Sequence, residues 1–289
     1  MVKKIFDIIA NLIIVVCALF LLYLAGLILV FDTFHVPSFS MTPTINQHDR
    51  GVINKMKLGA RIFDIMAAAR GDSFTVRRLP GYGRLERGDI IVFNGPFIED
   101  WDSVAMNMRR YYCKRAVGVA GDTVRVVDGF YRVNGSTEVI GVEREQEILG
   151  RYEEDFRRWN HDTVPLPGWI KALPFDSIPG WRIDNMGPMV VPAEGMTMAL
   201  DSLSYRIYRK YIAWETGRPL RWRDGSAWIG DCRADSYTFK ENYCFAGGDH
   251  VIDSQDSRYW GLVPEKYIVG VVAFLFYSMY GSDPWLSNN

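Results

Sequence analysis

The fold is decided by YYCKRAVGVAGDTVRVVDGFYRVNG, residues 111–135, where short apolar runs alternate with glycine-containing turns. Gly121-Asp122 and Asp128-Gly129 are dipeptides of the kind that end strands and form tight turns. The valine- and tyrosine-rich runs between them favour β-strands. The stretch therefore predicts three consecutive strands joined as a β meander.

Two further segments, one before the meander and one near the end of the chain, also favour strands. RRLPGYGRLERGDIIVF, residues 77–93, predicts a turn-rich approach to a strand at 89–93. GLVPEKYIVGVVAFLFYS, residues 261–278, ends in an apolar run shorter than the ~20 residues of a spanning helix, so a buried strand is expected. ARIFDIMAAARG, residues 60–71, predicts a short helix ahead of the first of these strands.

Residues 136–240 differ from the rest of the chain because they contain six of its nine tryptophans. EREQEILGRYEEDFRRWN, residues 143–160, has the charge spacing of a helix, and MVVPAEGMTMALD, residues 189–201, predicts strand–turn–strand. Because side chains of this size are usually buried, we expect an ordered insertion rather than a linker. The six tryptophans are Trp159, Trp169, Trp181, Trp214, Trp222 and Trp228.

An unbroken apolar run, LIIVVCALFLLYLAGLILVF, occupies residues 12–31. As a helix rising ~1.5 Å per residue it matches a hydrocarbon core of ~30 Å. The alternatives are a buried core helix and a cleavable signal peptide. However, the run is apolar on every face and longer than the apolar region of a signal peptide. Lys3 and Lys4 precede it, which predicts a cytoplasmic N-terminus with the rest of the chain outside.

The charge balance and the cysteine spacing disfavour a nucleic-acid-binding protein and a zinc protein. Lysine and arginine total 33 and aspartate and glutamate 34, so the chain has no basic excess for binding nucleic acid. No C-x-x-C pair is present, which disfavours a zinc site. Outside the membrane, Cys232 and Cys244 are either a disulfide or two small buried side chains, and the sequence leaves both open.

The segment HVPSFSMTPTI, residues 35–45, follows the apolar run and contains two serines. Its prolines favour an extended backbone, in which Ser38 and Ser40 share one face about 7 Å apart. One hydroxyl could then act as a nucleophile beside the other. The alternative is a proline-stiffened tether after a membrane helix.

A serine nucleophile needs a base, and Lys114 is a candidate. The four histidines are His35, His48, His161 and His250, and no G-x-S-x-G motif surrounds either serine. In the strand of the meander, Lys114 shares a face with Tyr112 and Ala116. Such a lysine is either a surface residue or a base whose pKa is lowered by burial.

Four ordered blocks together resemble type I signal peptidases, which are membrane-anchored serine–lysine endopeptidases. The resemblance implies a mainly β, sheet- or barrel-like catalytic domain with an α+β insertion. The expected domains are an anchor at 1–32, a catalytic core at 33–135 and 241–289, and the inserted subdomain at 136–240. The blocks are PSFSMTPTI (37–45), RGDIIVF (87–93), YYCKRAVGVAGD (111–122) and GGDHVIDSQDSRYWGLVPEKYIVG (247–270).

The resemblance assigns a role to each matching position. It implies Ser40 as the nucleophile and Lys114 as the general base. The oxyanion hole would be formed by the Ser40 N–H and the Ser38 hydroxyl, and Ser254 would orient the lysine. The resemblance also implies supporting ion pairs among Arg115, Asp249, Asp256 and Arg258, and a substrate pocket lined by Phe34, Val36, Met41, Tyr112 and Cys113.

The final block departs from the family's usual M-G-D-N-R-D-N-S-x-D-S-R. Gly247 replaces the methionine, His250 the first asparagine, Val251-Ile252 an Arg-Asp pair, and Asp253 the second asparagine. After the I-V-G, Val271 replaces the usual basic residue. The serines and the lysine of the implied site are retained.

The resemblance implies a single-pass protein of the inner (plasma) membrane whose catalytic domain is on the outer side. It implies no metal or organic cofactor. The expected partners are precursor proteins with signal peptides and the lipid bilayer, with the export machinery as a further candidate and no nucleic acid. Three alternatives stay open: a peptidase dedicated to one export or conjugation system, an inactive tethered β-domain that binds partners, and a hydrolase using His250 as base.

Overall fold

A computed structural model describes residues 2–70, 72, 74–160, 165–174 and 180–276. The α-helices are α1 Val2–Leu29, α2 Ile65–Arg70, α3 Glu143–Asn160, α4 Ser202–Thr216 and α5 Ser257–Trp260. The strands are β1 Phe31–His35, β2 Arg50–Asn54, β3 Arg61–Ile62, β4 Arg77–Arg78, β5 Ile90–Gly95, β6 Asn107–Gly118, β7 Thr123–Val127, β8 Phe130–Val133, β9 Met186–Val190, β10 Thr197–Ala199, β11 Leu220–Arg223, β12 Ser226–Ile229, β13 Cys232–Arg233, β14 Ser236–Thr238, β15 Tyr243–Gly247, β16 Val263–Pro264 and β17 Ile268–Phe276. Short 3₁₀ helices lie at Gly168–Ile170, Val251–Asp253 and Glu265–Tyr267.

The largest element is a seven-stranded sheet in the order β1-β2-β17-β5-β6-β15-β16. All of its pairs are antiparallel. β6 lies between β5 and β15, and its register places Lys114 opposite Ile91. The expected mainly β fold is confirmed, as is the strand near the end of the chain up to Phe276. Residues 277 and 278 of that predicted run lie outside the described residues.

The meander divides between two sheets. β7 and β8 form the expected hairpin, and both predicted turns are present. Among the described residues β6 does not pair with β7, because its two edges are taken by β5 and β15. β7 pairs instead with β9, which comes from the inserted segment. The insertion therefore shares a three-stranded sheet with the part of the chain that precedes residue 136.

The insertion contains the predicted helix α3 and strands β9 and β10, and its tryptophans differ in exposure. Trp181 belongs to the main core, and Trp214 and Trp222 pack against that core. Trp159 is 81% exposed and Trp169 40% exposed, so the rings differ in burial within the ordered insertion. Trp169 packs on Tyr152 of α3, with ring centroids 4.9 Å apart.

The helix α4 was not predicted, although its ends carry recognisable signals. The Asp201 carboxylate accepts hydrogen bonds from the Leu203 and Ser204 N–H groups, and the Asp201 N–H donates a hydrogen bond to the Ser204 hydroxyl. This is a capping box. Gly217 ends the helix with φ +66°, a conformation that glycine adopts without strain.

The N-terminal helix is joined closely to the large sheet. By length and composition, its segment Lys3–Leu29 is long and apolar enough to cross a membrane. An 18-residue stretch of it has a mean hydropathy of 3.1, and none of that stretch is buried in the protein. At its C-terminal end, Lys55 Nζ donates hydrogen bonds to the Leu27 and Ile28 carbonyls at 2.8 and 3.4 Å. The same ammonium lies 2.9 Å from the Asp32 carboxylate in β1. Lysine is well suited to this position because it satisfies carbonyls that the helix leaves unpaired.

The two extramembrane cysteines considered as a pair are separate. Cys232 is exposed in β13, whereas Cys244 is buried in β15, and both are free thiols. The disulfide alternative is therefore wrong, and for Cys244 the alternative of a small buried side chain is correct.

Candidate active site

The serine-bearing segment is turned rather than extended, so the predicted alternation of faces is wrong. After β1 ends at His35, the Thr42 N–H donates to the Phe39 carbonyl and the Ile45 N–H to the Met41 carbonyl, both at 2.9 Å. These bonds close successive turns, a geometry that proline also permits. Val36 and Met41 are both buried, although an extended backbone would place positions 36 and 41 on opposite faces.

The turn brings the two serine hydroxyls closer than an extended chain would. Ser38 Oγ and Ser40 Oγ are 3.4 Å apart, compared with the expected separation of about 7 Å. Within the part of the chain that the structure describes, no backbone hydrogen bond uses the Ser40 N–H. One hydroxyl and one free N–H thus lie beside the Ser40 side chain, as an oxyanion hole requires.

Lys114 projects from the middle of β6 toward the nucleophile candidate. Its side chain is buried, with 3% of the residue exposed, and its Nζ donates a hydrogen bond to Ser40 Oγ. Burial lowers the pKa of this amine from its ordinary range, while the nearby Asp256 carboxylate opposes that shift. A lysine with a lowered pKa and a hydroxyl in contact can accept that hydroxyl's proton.

Two ion pairs surround the lysine. The Arg115 guanidinium binds the Asp249 carboxylate through two hydrogen bonds of 2.7 and 2.6 Å. Arg258 and Asp256 are both fully buried, and their side chains form two hydrogen bonds of 2.8 Å. Asp256 also accepts the Gly248 N–H at 3.0 Å. The four charged residues implied by the resemblance therefore lie together, as two adjacent pairs.

Ser254 lies next to the site without a hydrogen bond to the lysine. It is buried, and its Oγ has no hydrogen-bond partner among the described residues. Gly248 separates it from the nucleophile segment, because a Cβ at Gly248 would collide with both Ser254 Oγ and the Ser40 carbonyl oxygen. Sequence reasoning did not single out Gly248, whose requirement for glycine comes from this close packing.

Four of the five expected pocket residues lie together. Val36 and Met41 form a buried apolar cluster with Ile45, and Phe34 and Cys113 pack against it. Tyr112 lies elsewhere: its ring stacks on Phe93, with centroids 5.8 Å apart, and approaches Trp260 at 6.1 Å. Tyr112 therefore contributes to the main core rather than to this cluster.

His250 does not act on the Ser40 hydroxyl in this structure. Its backbone N–H donates to the Ser40 carbonyl at 3.2 Å, while its ring Nε2 lies 3.7 Å from Glu145 Oε2 in α3. The alternative that uses His250 as the base therefore lacks the contact it requires. His161, another of the four histidines, lies outside the described residues.

Comparisons with known proteins agree on one family. The family model described as signal peptidase, peptidase S26, matches residues 8–177 and 183–277. The signal peptidase I of Buchnera aphidicola subsp. Baizongia pistaciae is 24% identical over 245 residues, which cover 85% of this chain and 69% of that protein. The signal peptidase I of Rickettsia bellii is 35% identical over 112 residues, which cover 37% of this chain and 33% of that protein. A crystal structure of a signal peptidase I from Enterococcus faecalis aligns with 66% of this chain and 97% of that chain at 16% identity, with a TM-score of 0.28 that supports no further conclusion.

Proposed function

The chain belongs to the signal peptidase family, peptidase S26, and on this premise we propose that it removes signal peptides from exported precursors by means of a Ser40–Lys114 dyad. Membership makes it a peptide-bond hydrolase of the signal peptidase class. The dyad is the finer proposal, and a single observation carries it: the buried Lys114 amine contacts the Ser40 hydroxyl.

In the reaction, the neutral Lys114 amine accepts the proton of Ser40 as Oγ attacks the carbonyl carbon of the scissile peptide bond. The Ser40 N–H and the Ser38 hydroxyl donate hydrogen bonds to the developing oxyanion. The Lys114 ammonium then gives its proton to the departing amine, and an acyl-enzyme on Ser40 remains. Water then attacks this ester while Lys114 accepts its proton. Lys114 returns the proton to Ser40 Oγ as the new carboxyl end of the signal peptide leaves.

The ion pairs and Ser254 have supporting roles in this proposal. Arg115–Asp249 fixes the loop 247–258 to β6, whereas Asp256–Arg258 lies within the loop and holds it together. Breaking a buried pair of this kind costs about 3–5 kcal/mol of stability. The Ser254 hydroxyl is buried and has no partner among the described residues, so it is available to orient the Lys114 amine once the substrate binds. The cluster around Val36 and Met41 would accept small side chains that precede the cut.

The N-terminal helix suits a membrane setting. Lys3 and Lys4 at its start favour a cytoplasmic N-terminus, with the sheet on the outer face of the inner membrane. Signal peptides present their cut site just after an apolar segment, and therefore at the same surface. Anchoring the enzyme and its precursor in one bilayer raises their effective concentration.

Precursor cleavage by the full chain in detergent or vesicles tests the proposal. We expect Ser40→Ala to lower kcat by at least about 10³-fold and Ser38→Ala by about 10²-fold, because they remove the nucleophile and one oxyanion donor respectively. Ser136→Ala, at an exposed serine remote in sequence from both, is the matched control and keeps wild-type kcat. Retained cleavage in Ser40→Ala contradicts the dyad, and a wild-type chain that cleaves no precursor supports an inactive binding domain instead.

A further inference from the structure

The loop GGDHVID, residues 247–253, holds most of the departures from the family's final block, and helix α3 of the insertion lies against it. His250 replaces the usual asparagine there, and its imidazole faces Glu145 of α3 across 3.7 Å. Both side chains are largely covered, with 30% of His250 and 17% of Glu145 exposed. Among the described residues the other ring nitrogen, Nδ1, is buried without a partner, so Glu145 is the polar group that faces the ring.

The backbone of the same residue reaches the nucleophile. The His250 N–H donates to the Ser40 carbonyl at 3.2 Å, and Gly248 fits tightly against the same carbonyl oxygen. The residue whose side chain faces Glu145 thus also holds the main chain of Ser40. The position of Ser40 Oγ relative to Lys114 depends on this main chain.

Helix α3 is a firm support for Glu145. The adjacent residue, Gln146, is fully buried, accepts the Tyr131 N–H and donates to the Ile140 carbonyl, both at 2.9 Å. Leu149, one turn along, is fully buried in the main core. The first turns of α3 are therefore fixed to β8 and to the core, and the Glu145 carboxylate has a defined place.

From these contacts we propose that Glu145 and His250 form a brace that positions Ser40, with α3 of the insertion as its support. The inference rests on the proposed function, because it concerns the same nucleophile. The Glu145 carboxylate restrains the imidazole, and the restrained His250 holds its N–H on the Ser40 carbonyl. Without the carboxylate this hold loosens, and Ser40 Oγ spends less time in contact with Lys114. Small misplacements of reacting groups are costly, since about 1 Å can lower a rate 10²-fold.

The test is a double-mutant cycle on the full chain, with kcat and KM measured on the same precursor. The variants are Glu145→Gln, His250→Asn and the double variant, and His250→Asn restores the family's usual residue while keeping the backbone N–H. We expect each single change to lower kcat about 5- to 10-fold with KM unchanged. The double variant should be no slower than the slower single one, because both changes remove one interaction.

Two further variants separate positioning from general damage to the helix. Glu147→Gln makes the same charge change at an exposed position of α3 and should keep wild-type kcat. Glu145→Asp keeps a carboxylate on a shorter side chain and should recover part of the loss. Wild-type kcat in Glu145→Gln, losses that multiply in the double variant, an equal loss in Glu147→Gln, or an effect on KM alone would each overturn the brace.

The outcome for Ser40→Ala separates this inference from the proposed function. An active Ser40→Ala variant overturns the dyad, and the brace with it. An inactive Ser40→Ala variant together with a fully active Glu145→Gln variant overturns the brace alone.

Discussion

Two buried lysines of this chain have similar burial and different surroundings. Lys114 in β6 and Lys210 in α4 are 3% and 7% exposed. Burial lowers the pKa of both amines, that of Lys210 to about 7. Lys114 contacts the Ser40 hydroxyl, whereas Lys210 donates to the Trp101 and Trp260 carbonyls, each at 2.7 Å.

The difference shows that a lowered pKa alone does not make a lysine a base. A hydroxyl partner has a proton to give, while carbonyl partners only accept. A neutral amine has two N–H donors, which match the two carbonyls that Lys210 satisfies. The same physical effect, desolvation, thus gives a candidate catalytic group in β6 and a structural crosslink in α4.

Replacing each lysine by methionine should separate the two roles most clearly. We expect Lys114→Met to lower kcat/KM for precursor cleavage by at least about 10³-fold, since it removes the base. Lys210→Met should stay within about threefold of wild type, because Lys210 contacts neither serine. Cleavage rates of the two purified variants measure this. Equal losses in both would mean that the two lysines are not distinct in function.

The pH profile should follow one lysine and not the other. Lys114 is active as a neutral amine, so kcat/KM should rise about tenfold per pH unit below its lowered pKa and then level off. Lys210→Met should keep this acid limb at the same pH. Initial rates between pH 5 and 10 give the profile. A flat wild-type profile, or a limb that moves in Lys210→Met, would remove Lys114 as the titrating base.

For stability we expect the opposite ranking: Lys210→Met should destabilise the protein more than Lys114→Met. Lys210→Met removes the donor to the buried Trp260 carbonyl and one donor to the part-buried Trp101 carbonyl, and we expect the free energy of unfolding to fall by about 1–3 kcal/mol. Lys114→Met removes an amine whose burial is itself unfavourable, so a change within about 1 kcal/mol is expected. Denaturant titration in detergent measures both. A larger loss for Lys114→Met would make its role structural.

The last effect, the smallest per pH unit, concerns the pH dependence of stability. Below about pH 7 folding must bury the Lys210 ammonium, and between about 7 and ~10.4 the unfolded chain binds a proton that the folded chain lacks. Stability should therefore rise with pH across this range, by at most about 1.4 kcal/mol per unit for this one proton. In Lys210→Met the rise should be shallower. Equal slopes for variant and wild type would mean that Lys210 stays charged when buried.

The sequence predicts the lysine side of the site better than the serine side. Strand alternation places Lys114 on one face of β6, and β6 is a regular strand paired on both edges. The serine segment was expected to be extended because of its prolines. Its turns depend on bonds such as Thr42 N–H to the Phe39 carbonyl, which the residue types alone do not specify.

Long-range contacts account for the remaining differences. The pairing of β7 with β9, and the approach of Glu145 to His250, join residues distant in the sequence whose types are ordinary for their local elements. Helix α4 is different, because its capping box at Asp201 and the glycine at 217 are visible in the sequence. The exposed Trp159 shows that aromatic content predicts an ordered segment more reliably than the burial of each ring.

Lys55, which contacts the C-terminal end of the N-terminal helix, fixes the distance between the proposed anchor and the sheet. The nine residues that follow Phe31, up to Ser40, would let the nucleophile range over about 30 Å if they were a flexible tether. Instead Lys55, which directly follows β2, contacts the Leu27 carbonyl in the last turn of α1 and the Asp32 carboxylate in β1. In the proposed membrane setting, these contacts would hold the sheet at a fixed distance from the end of the anchor. The position of cleavage would then depend on a length measured from the membrane as well as on the side chains beside the cut.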